Sequence, residues 1–319
     1  MNAPRKFRYL FGPIPSRRLG YSLGVDLFET KVCTHNCPYC ECGPTRQLTK
    51  ERGEFVPFGD VAAELRAFLP HAGLDFVTFS GNGEPTLYSR LGDLVRLIRS
   101  LCDTPIAIIT NSALVMRADV RAELALADVV MPSLDAVSQD AMDRINMADP
   151  SITAEDMIEG LVEFRREFSG RIDLEIFFCK GLNDDPREVD LLADAARRIG
   201  ADRVQLNTVD RPPAMKLAQP LSRAEMESIA ARFAGLPVEV IGRFAHDDAP
   251  VATDDPRAQV LAMIERRAVD EADLIRTLGL AEPDARAVLD ALVAEGRIRR
   301  VEFDGRPHYR RETASARAR

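Results

Sequence analysis

Three of the chain's six cysteines lie in one short stretch, Cys33-Thr-His-Asn-Cys37-Pro-Tyr39-Cys40. Their i, i+4, i+7 spacing is also that of a helix face. Pro38 argues against a helix, because inside one it removes a backbone donor and clashes with the preceding turn. A loop that wraps its thiolates around a ligand fits better. A structural zinc site closes with four Cys or His ligands, commonly as two separated pairs, and here would need Cys42 or His35 as the fourth. Iron–sulfur clusters are also held by Cys thiolates. Three ligands on a four-iron cluster leave one iron open, as in metal sites that do chemistry. The residues favour a cluster over zinc or plain structural cysteines, and Cys42 is a candidate for a second metal or for assisting the chemistry.

A second constellation follows about forty residues later, Ser80-Gly81-Asn82-Gly83-Glu84-Pro85-Thr86. Its glycines allow positive φ and close approach of backbone to a ligand, and Glu84 adds a carboxylate. No Gly-Lys-Ser/Thr follows, so this is not a phosphate-binding P-loop. Glu175, Gln205 and Asn207 are polar residues in otherwise apolar strand-like runs. On an alternating strand such a residue needs a partner, either a ligand or a hydrogen bond within the protein. Arg17 and Arg18 are placed to reach an anionic group or to anchor the N-terminal segment in solvent.

These residues need elements to position them. Residues 1–20 read as an irregular basic entry segment. Strand-like runs at 24–29, 76–80, 106–110, 129–131, 172–179 and 204–208 alternate with helical stretches, such as 91–102 with its apolar residues at 91, 94, 95, 98 and 101. Six strands separated by helices imply parallel β/α units. Right-handed crossovers would curl them into an open (β/α)6 partial TIM barrel, with the chemistry at the C-terminal ends of the strands. A helix opening at Ser222 and a strand at 238–241 follow. The Asn183-Asp184 pair is expected to cap the helix at 186–199.

The aperiodic, acidic, Pro-containing stretch 246–256 reads as a linker, dividing a partial-barrel domain, 1–245, from a small domain, 257–319. Helices at 256–267, 270–278 and 282–294 precede two short strands around Asp304-Gly305, a hairpin signal. This pattern reads as a winged helix, a module that contacts RNA or DNA. Residues 297–319 carry eight arginines against three acids. The helix in the recognition position, 284–295, is acidic and Ala-rich, a poor surface for phosphates. A packing or protein-docking role is the alternative.

The net charge of −8 argues against binding polyanions over the whole surface. No apolar run is long enough to span a membrane, and the basic N-terminus leads into no signal segment. The expectation is a cytoplasmic protein, where a reducing environment suits thiolates kept for metal.

Cys33-x3-Cys37-x2-Cys40, with Tyr39 before the third cysteine, resembles the signature of the radical S-adenosylmethionine (SAM) superfamily. Gly12-Pro-Ile-Pro-Ser-Arg-Arg-Leu-Gly20 and Leu23-Gly-Val-Asp26 resemble a narrower group, the Fe–S oxidoreductases related to tRNA wyosine synthases, and the similarity runs to about Pro213. The resemblance implies a [4Fe–4S] cluster on Cys33, Cys37 and Cys40, with SAM on the open iron. It implies SAM contacts from Tyr39, Gly81, Asn82, Gly83, Glu84, Pro85, Asn111, Ser133 and Asn207. Asp135, Glu175, Arg17 and Arg18 are then substrate or catalytic candidates. It also implies an external one-electron reductant such as flavodoxin or ferredoxin. The activity would be reductive cleavage of SAM to a 5′-deoxyadenosyl radical, which takes hydrogen from a substrate, with an RNA base as one candidate and a peptide or partner protein as another. Two departures stand out. Asn82 replaces a glycine of the family's Gly-Gly-Glu-Pro motif, and no cysteine precedes Cys33 to hold the second cluster of wyosine synthases. From another class, a metal-sensing transcription regulator would use the cysteines as sensor and the winged helix as reader, but would leave the Gly-Asn-Gly-Glu-Pro loop without a task.

Overall fold

Short apolar runs bounded by Gly, Pro and Asp form strands, and the amphipathic stretches between them form helices, in a computed structural model that describes residues 7–16, 18–71, 73–241, 255–264 and 267–312. In chain order the first part contains β1 (Leu10–Ser16), β2 (Gly20–Val25), β3 (Val32–Cys33), β4 (Gln47–Leu48), α1 (Phe58–Phe68), β5 (Phe76–Phe79), α2 (Leu91–Leu101) and β6 (Ile106–Thr110). Then come α3 (Ala118–Leu124), β7 (Val129–Pro132), α4 (Gln139–Ile145), α5 (Ala154–Glu167), β8 (Arg171–Phe178), α6 (Pro186–Ile199), β9 (Arg203–Thr208), α7 (Arg223–Arg232) and β10 (Val238–Val240).

One eight-stranded sheet runs in the order β1-β2-β5-β6-β7-β8-β9-β10. Every neighbouring pair from β2 to β10 is parallel, and the outermost strands do not pair with each other. This mostly parallel α/β sheet is consistent with an open partial barrel. Helices bury its strands from outside, so β7 reads as a continuous apolar run rather than an alternating one. The helix boundaries follow local chemistry. In α6 the Asp185 carboxylate accepts from the backbone N–H of Arg187 and Glu188, and Gly200 closes the helix at φ 68°.

Two expectations are corrected. The entry segment is not irregular throughout: β1 pairs antiparallel with β2, with a register shift between Phe11 and Ile14. Gly12, Pro13 and Pro15 disguise it, yet an edge strand tolerates residues that donate no ladder bond. The cap of α6 is Asp185, not Asn183. Asn183 is buried and bridges three backbone groups, accepting from Cys179 N and donating to Asp135 O and Phe177 O.

The C-terminal part forms α8 (Pro256–Ile264), α9 (Glu271–Leu278), α10 (Glu282–Ala294) and a hairpin of β11 (Ile298–Phe303) and β12 (Arg306–Arg311). Asp304 and Gly305 turn the hairpin at φ 49° and 69°, both positive as a tight two-residue turn requires. Val269 bridges to Tyr309, which adds a third extended segment. These elements share a core of their own, built on Val260, Leu274, Leu289, Leu292 and Ile298, with Ile14 of β1 packed against it. Most of the expected 246–256 linker, and the tail beyond 312, lie outside the described residues. Among the described residues no helix is long and apolar enough to cross a membrane.

Candidate metal and cofactor site

The cysteine loop leaves β3, which pairs with β4 on one side and is bridged to the glycine loop at Val32–Gly83 on the other. Cys33, Cys37 and Cys40 are free thiols. Asn111 Nδ2 points at Cys33 Sγ from 3.3 Å, and Asn146 Nδ2 points at Cys37 Sγ from 3.6 Å. A thiol accepts weakly and a thiolate strongly, so these amide donors suit deprotonated, metal-bound sulfur. Burial pushes the Cys33 thiol up to about 12 and Cys37 higher still. A bound cationic group reverses that, because coordination deprotonates thiols. Cys40 is pulled the other way, chiefly by a hydrogen bond from Cys42 and also by Lys31. Cys42 Sγ in turn reaches Gly81 O at 3.2 Å. The donor set therefore fits a thiolate-ligated cluster on Cys33, Cys37 and Cys40. Among the described residues no three His, Cys, Asp or Glu side chains converge on a point the size of one metal ion. His35 is buried, its imidazole held neutral chiefly by burial, and among the described residues neither ring nitrogen has a hydrogen-bond partner.

The glycine loop lies against this wall because nothing larger fits. A Cβ on Gly83 would come within 2.2 Å of Val32 O and 2.7 Å of Phe28 Cδ2. One on Gly81, at φ 133°, would meet Asp26 Cγ at 2.5 Å. Asp26 accepts from Asn82 N at 3.1 Å and from Asn82 Nδ2 at 2.8 Å, so Asn82 contributes an anchor that glycine would lack. Glu84 is buried. Its carboxylate accepts from Thr86 N, Thr86 Oγ1, Thr110 Oγ1 and Asn111 N at 2.7–3.0 Å. It thereby ties the loop to the end of β6 and orients Asn111 toward Cys33, while Pro85 is buried behind it. Gly83→Ala is expected to destabilise by about 1–3 kcal/mol, as overpacking does. A lower melting temperature together with weaker SAM binding in equilibrium dialysis would show it, and unchanged values for both would refute the close-approach argument.

Further round the barrel mouth, Tyr39 stacks on Phe177 with ring centroids 4.0 Å apart and 9° between planes. Its hydroxyl donates to Asp135 Oδ2 at 2.5 Å. Asp135 also accepts from Asn146 Nδ2 and Phe177 N. Burial raises the Asp135 carboxyl to about 6, and its donors oppose that rise. Arg18 and Glu175 form an ion pair inside the barrel, with Gln205 Oε1 3.4 Å from Arg18 Nη1. Ser133 bridges to Glu175 through the backbone. Arg17 lies outside the described residues.

A cavity of about 510 Å³ opens at this end of the barrel. Arg18, Tyr39, Cys40, Gly81, Gly83, Glu175 and Asn207 line it among the expected site residues, whereas Cys33, Cys37, Asn82, Glu84, Pro85, Asn111, Ser133 and Asp135 are not among its lining residues. Its far side comes from the C-terminal module, through Met263, Arg267, Asp270, Arg276 and His308. Arg211, buried where barrel and module meet, pairs with Glu41 of the cysteine loop at 3.1 Å, Asp210 at 3.3 Å and Asp273 of α9 at 3.4 Å. Sequence reasoning missed Asn146, Lys31 and this role of Arg211. Asn146 sits at a helix end with nothing local to mark it, and Arg211 shows only as the start of an Arg-Pro-Pro run.

The radical SAM superfamily model matches residues 29–207. The chain is 33% identical over 310 residues to the GTPase Obg of Brachyspira hyodysenteriae, across 94% of this chain and 45% of that protein, so it spans less than half of that relative. It is 32% identical over 295 residues to a UPF0026 protein of Helicobacter pylori J99, across 91% of this chain and 93% of that protein. Among solved structures, a radical SAM methyltransferase from Sphaerobacter thermophilus is similar with a TM-score of 0.49 and 20% identity, covering 70% of this chain and 67% of that one.

Proposed function

Because this chain belongs to the radical S-adenosylmethionine superfamily and to the UPF0026 proteins, we propose that it generates a 5′-deoxyadenosyl radical and takes a hydrogen atom from a small substrate enclosed at the barrel mouth. A [4Fe–4S] cluster and SAM are its cofactors, as in the superfamily. Reduced and carrying SAM, the cluster supplies the electron that splits the sulfonium into methionine and that radical. The protein's own residues prepare the place. Cys33, Cys37 and Cys40 would hold the cluster, with Asn111 and Asn146 donating to the first two sulfurs. Gly81, Gly83, Tyr39 and Asn207 line the space where SAM would lie. The Tyr39–Phe177 stack walls off water, and Arg18 with Glu175 offers polar groups to orient a substrate.

The observation that carries the substrate reading is that the C-terminal module lines the same cavity as Cys40. Its three helices, bridging segment and hairpin follow the order of a winged helix. The outward residues of α10 include Glu282, Asp284 and Asp290, with Arg286 paired to Glu271 and Glu282, a face of net negative charge that disfavours phosphates. We therefore read the module as a roof rather than a nucleic-acid reader, and the substrate as a compound within the 300–1,000 Å³ range of ordinary ligand pockets. The kinship to wyosine synthases suggested by residues 12–26 stands as a proposal of ancestry. A flavodoxin- or ferredoxin-type protein in the cytoplasm would supply the electron.

Small-molecule, RNA and protein fractions from cells grown in deuterated medium test this reading. Each is incubated anaerobically with the reconstituted enzyme, SAM and dithionite, and the 5′-deoxyadenosine is weighed by mass spectrometry. Deuterium transferred from the small-molecule fraction is expected. Transfer only from RNA or only from protein would overturn the substrate class.

A further inference from the structure

Lys31 enters neither the resemblance nor the fold, yet it is the charged side chain driven deepest into the cysteine loop. It is 7% exposed, and its Nζ donates to Gly43 O at 2.5 Å. Gly43 N returns to Cys40 O at 3.2 Å, which closes a tight turn over the third cysteine. Arg46 N and Gln47 N both bond to Lys31 O at 2.9 and 3.2 Å, so its backbone is pinned as well. The ammonium lies within electrostatic reach of Cys33, Cys37, Cys40 and Cys42. A buried ammonium is costly unless paired, and among the described residues no carboxylate is paired with it. The Gly43 carbonyl and the nearby cysteine sulfurs compensate it.

We propose that Lys31 is the fixed counter-charge of the metal group on Cys33, Cys37 and Cys40, and that it sets how readily that group accepts an electron. The inference rests on the reading of those cysteines as cluster ligands. A cluster held by three thiolates gains one further negative charge on one-electron reduction. A cation fixed in a low-dielectric site therefore stabilises the reduced form more than the oxidised one, and local charge and hydrogen bonds to sulfur are among the levers that set cluster potentials. Lys31 acts through the cluster and touches no substrate, so it is a positioning residue.

The test compares wild type with Lys31→Gln, Lys31→Met and Lys31→Arg, each reconstituted with iron and sulfide and then titrated against dithionite by electron paramagnetic resonance, without substrate. Glutamine keeps an N–H for Gly43 O but no charge; methionine removes both. The expected result is normal iron content in Lys31→Gln with its reduced-to-oxidised ratio about tenfold lower at a fixed potential, about 59 mV for a one-electron couple. Lys31→Met should shift in the same direction, and Lys31→Arg should stay near wild type. An unchanged potential in an iron-loaded neutral variant would overturn the proposal. So would loss of iron from both neutral variants, which would assign Lys31 to loop closure alone. If wild type itself takes up no cluster, the cluster reading fails, and the same experiment shows that separately.

Discussion

Cys37→Ala is expected to lose the cluster entirely, with iron and sulfide falling from about four of each per chain to background and with SAM cleavage abolished. Cys37 is the most enclosed of the three proposed ligands, 9% exposed, and Asn146 donates to its sulfur. With two thiolates left, an open cluster has no third anchor. Cys102→Ala is the matched control, since Cys102 caps the far end of α2 through its backbone N–H and its thiol reaches Ile98 O at 3.8 Å. Iron assays and the visible absorption of the reconstituted proteins check both. A Cys37→Ala protein that keeps its cluster would remove Cys37 from the ligand set.

Arg211→Met is expected to cost about 3–5 kcal/mol, the usual penalty for stripping one partner from a buried ion network. The variant leaves Glu41, Asp210 and Asp273 facing one another without their shared cation. At about 2–4 °C per kcal/mol for chains approaching this size, the melting temperature should fall by roughly 10 °C. The same network gives a pH dependence. Burial alone would raise the Asp273 carboxyl, but Arg211, Arg267 and Arg276 outweigh it and hold the group well below the usual carboxylate range. A depressed carboxyl stabilises the folded state above its unfolded value of about 3.9, and that contribution is lost as pH falls through the folded value. The Tm difference between wild type and Asp273→Asn should therefore be full near neutrality and shrink below about pH 4. A melting temperature within 2 °C of wild type for Arg211→Met would mean that the module does not depend on this contact.

The barrel was legible because its signals are local. Apolar runs such as Ile106–Thr110 and Val129–Pro132 lie between amphipathic helices, and the parallel sheet follows from that alternation. β1 was hidden by its own Gly and Pro residues. The cysteines and the glycine loop stood out by spacing, but the carboxylate of Glu84 turns out to be filled by four protein donors. No periodicity encodes that. Asn146 meets Cys37 across 109 residues, and Arg211 meets Asp273 across 62. Such pairings arise when the sheet curls and the module docks, so neither leaves a mark in a sequence window. The module's three helices and hairpin were visible, whereas its place over the cavity was not.

The central claim is SAM cleavage at a cluster held by Cys33, Cys37 and Cys40. Anaerobic reconstitution of the full chain, followed by incubation with SAM and dithionite and chromatography for 5′-deoxyadenosine, tests it most directly. Formation of 5′-deoxyadenosine with methionine, dependent on dithionite, is the result predicted. A chain that takes up stoichiometric zinc, builds no iron–sulfur cluster and leaves SAM intact would contradict it.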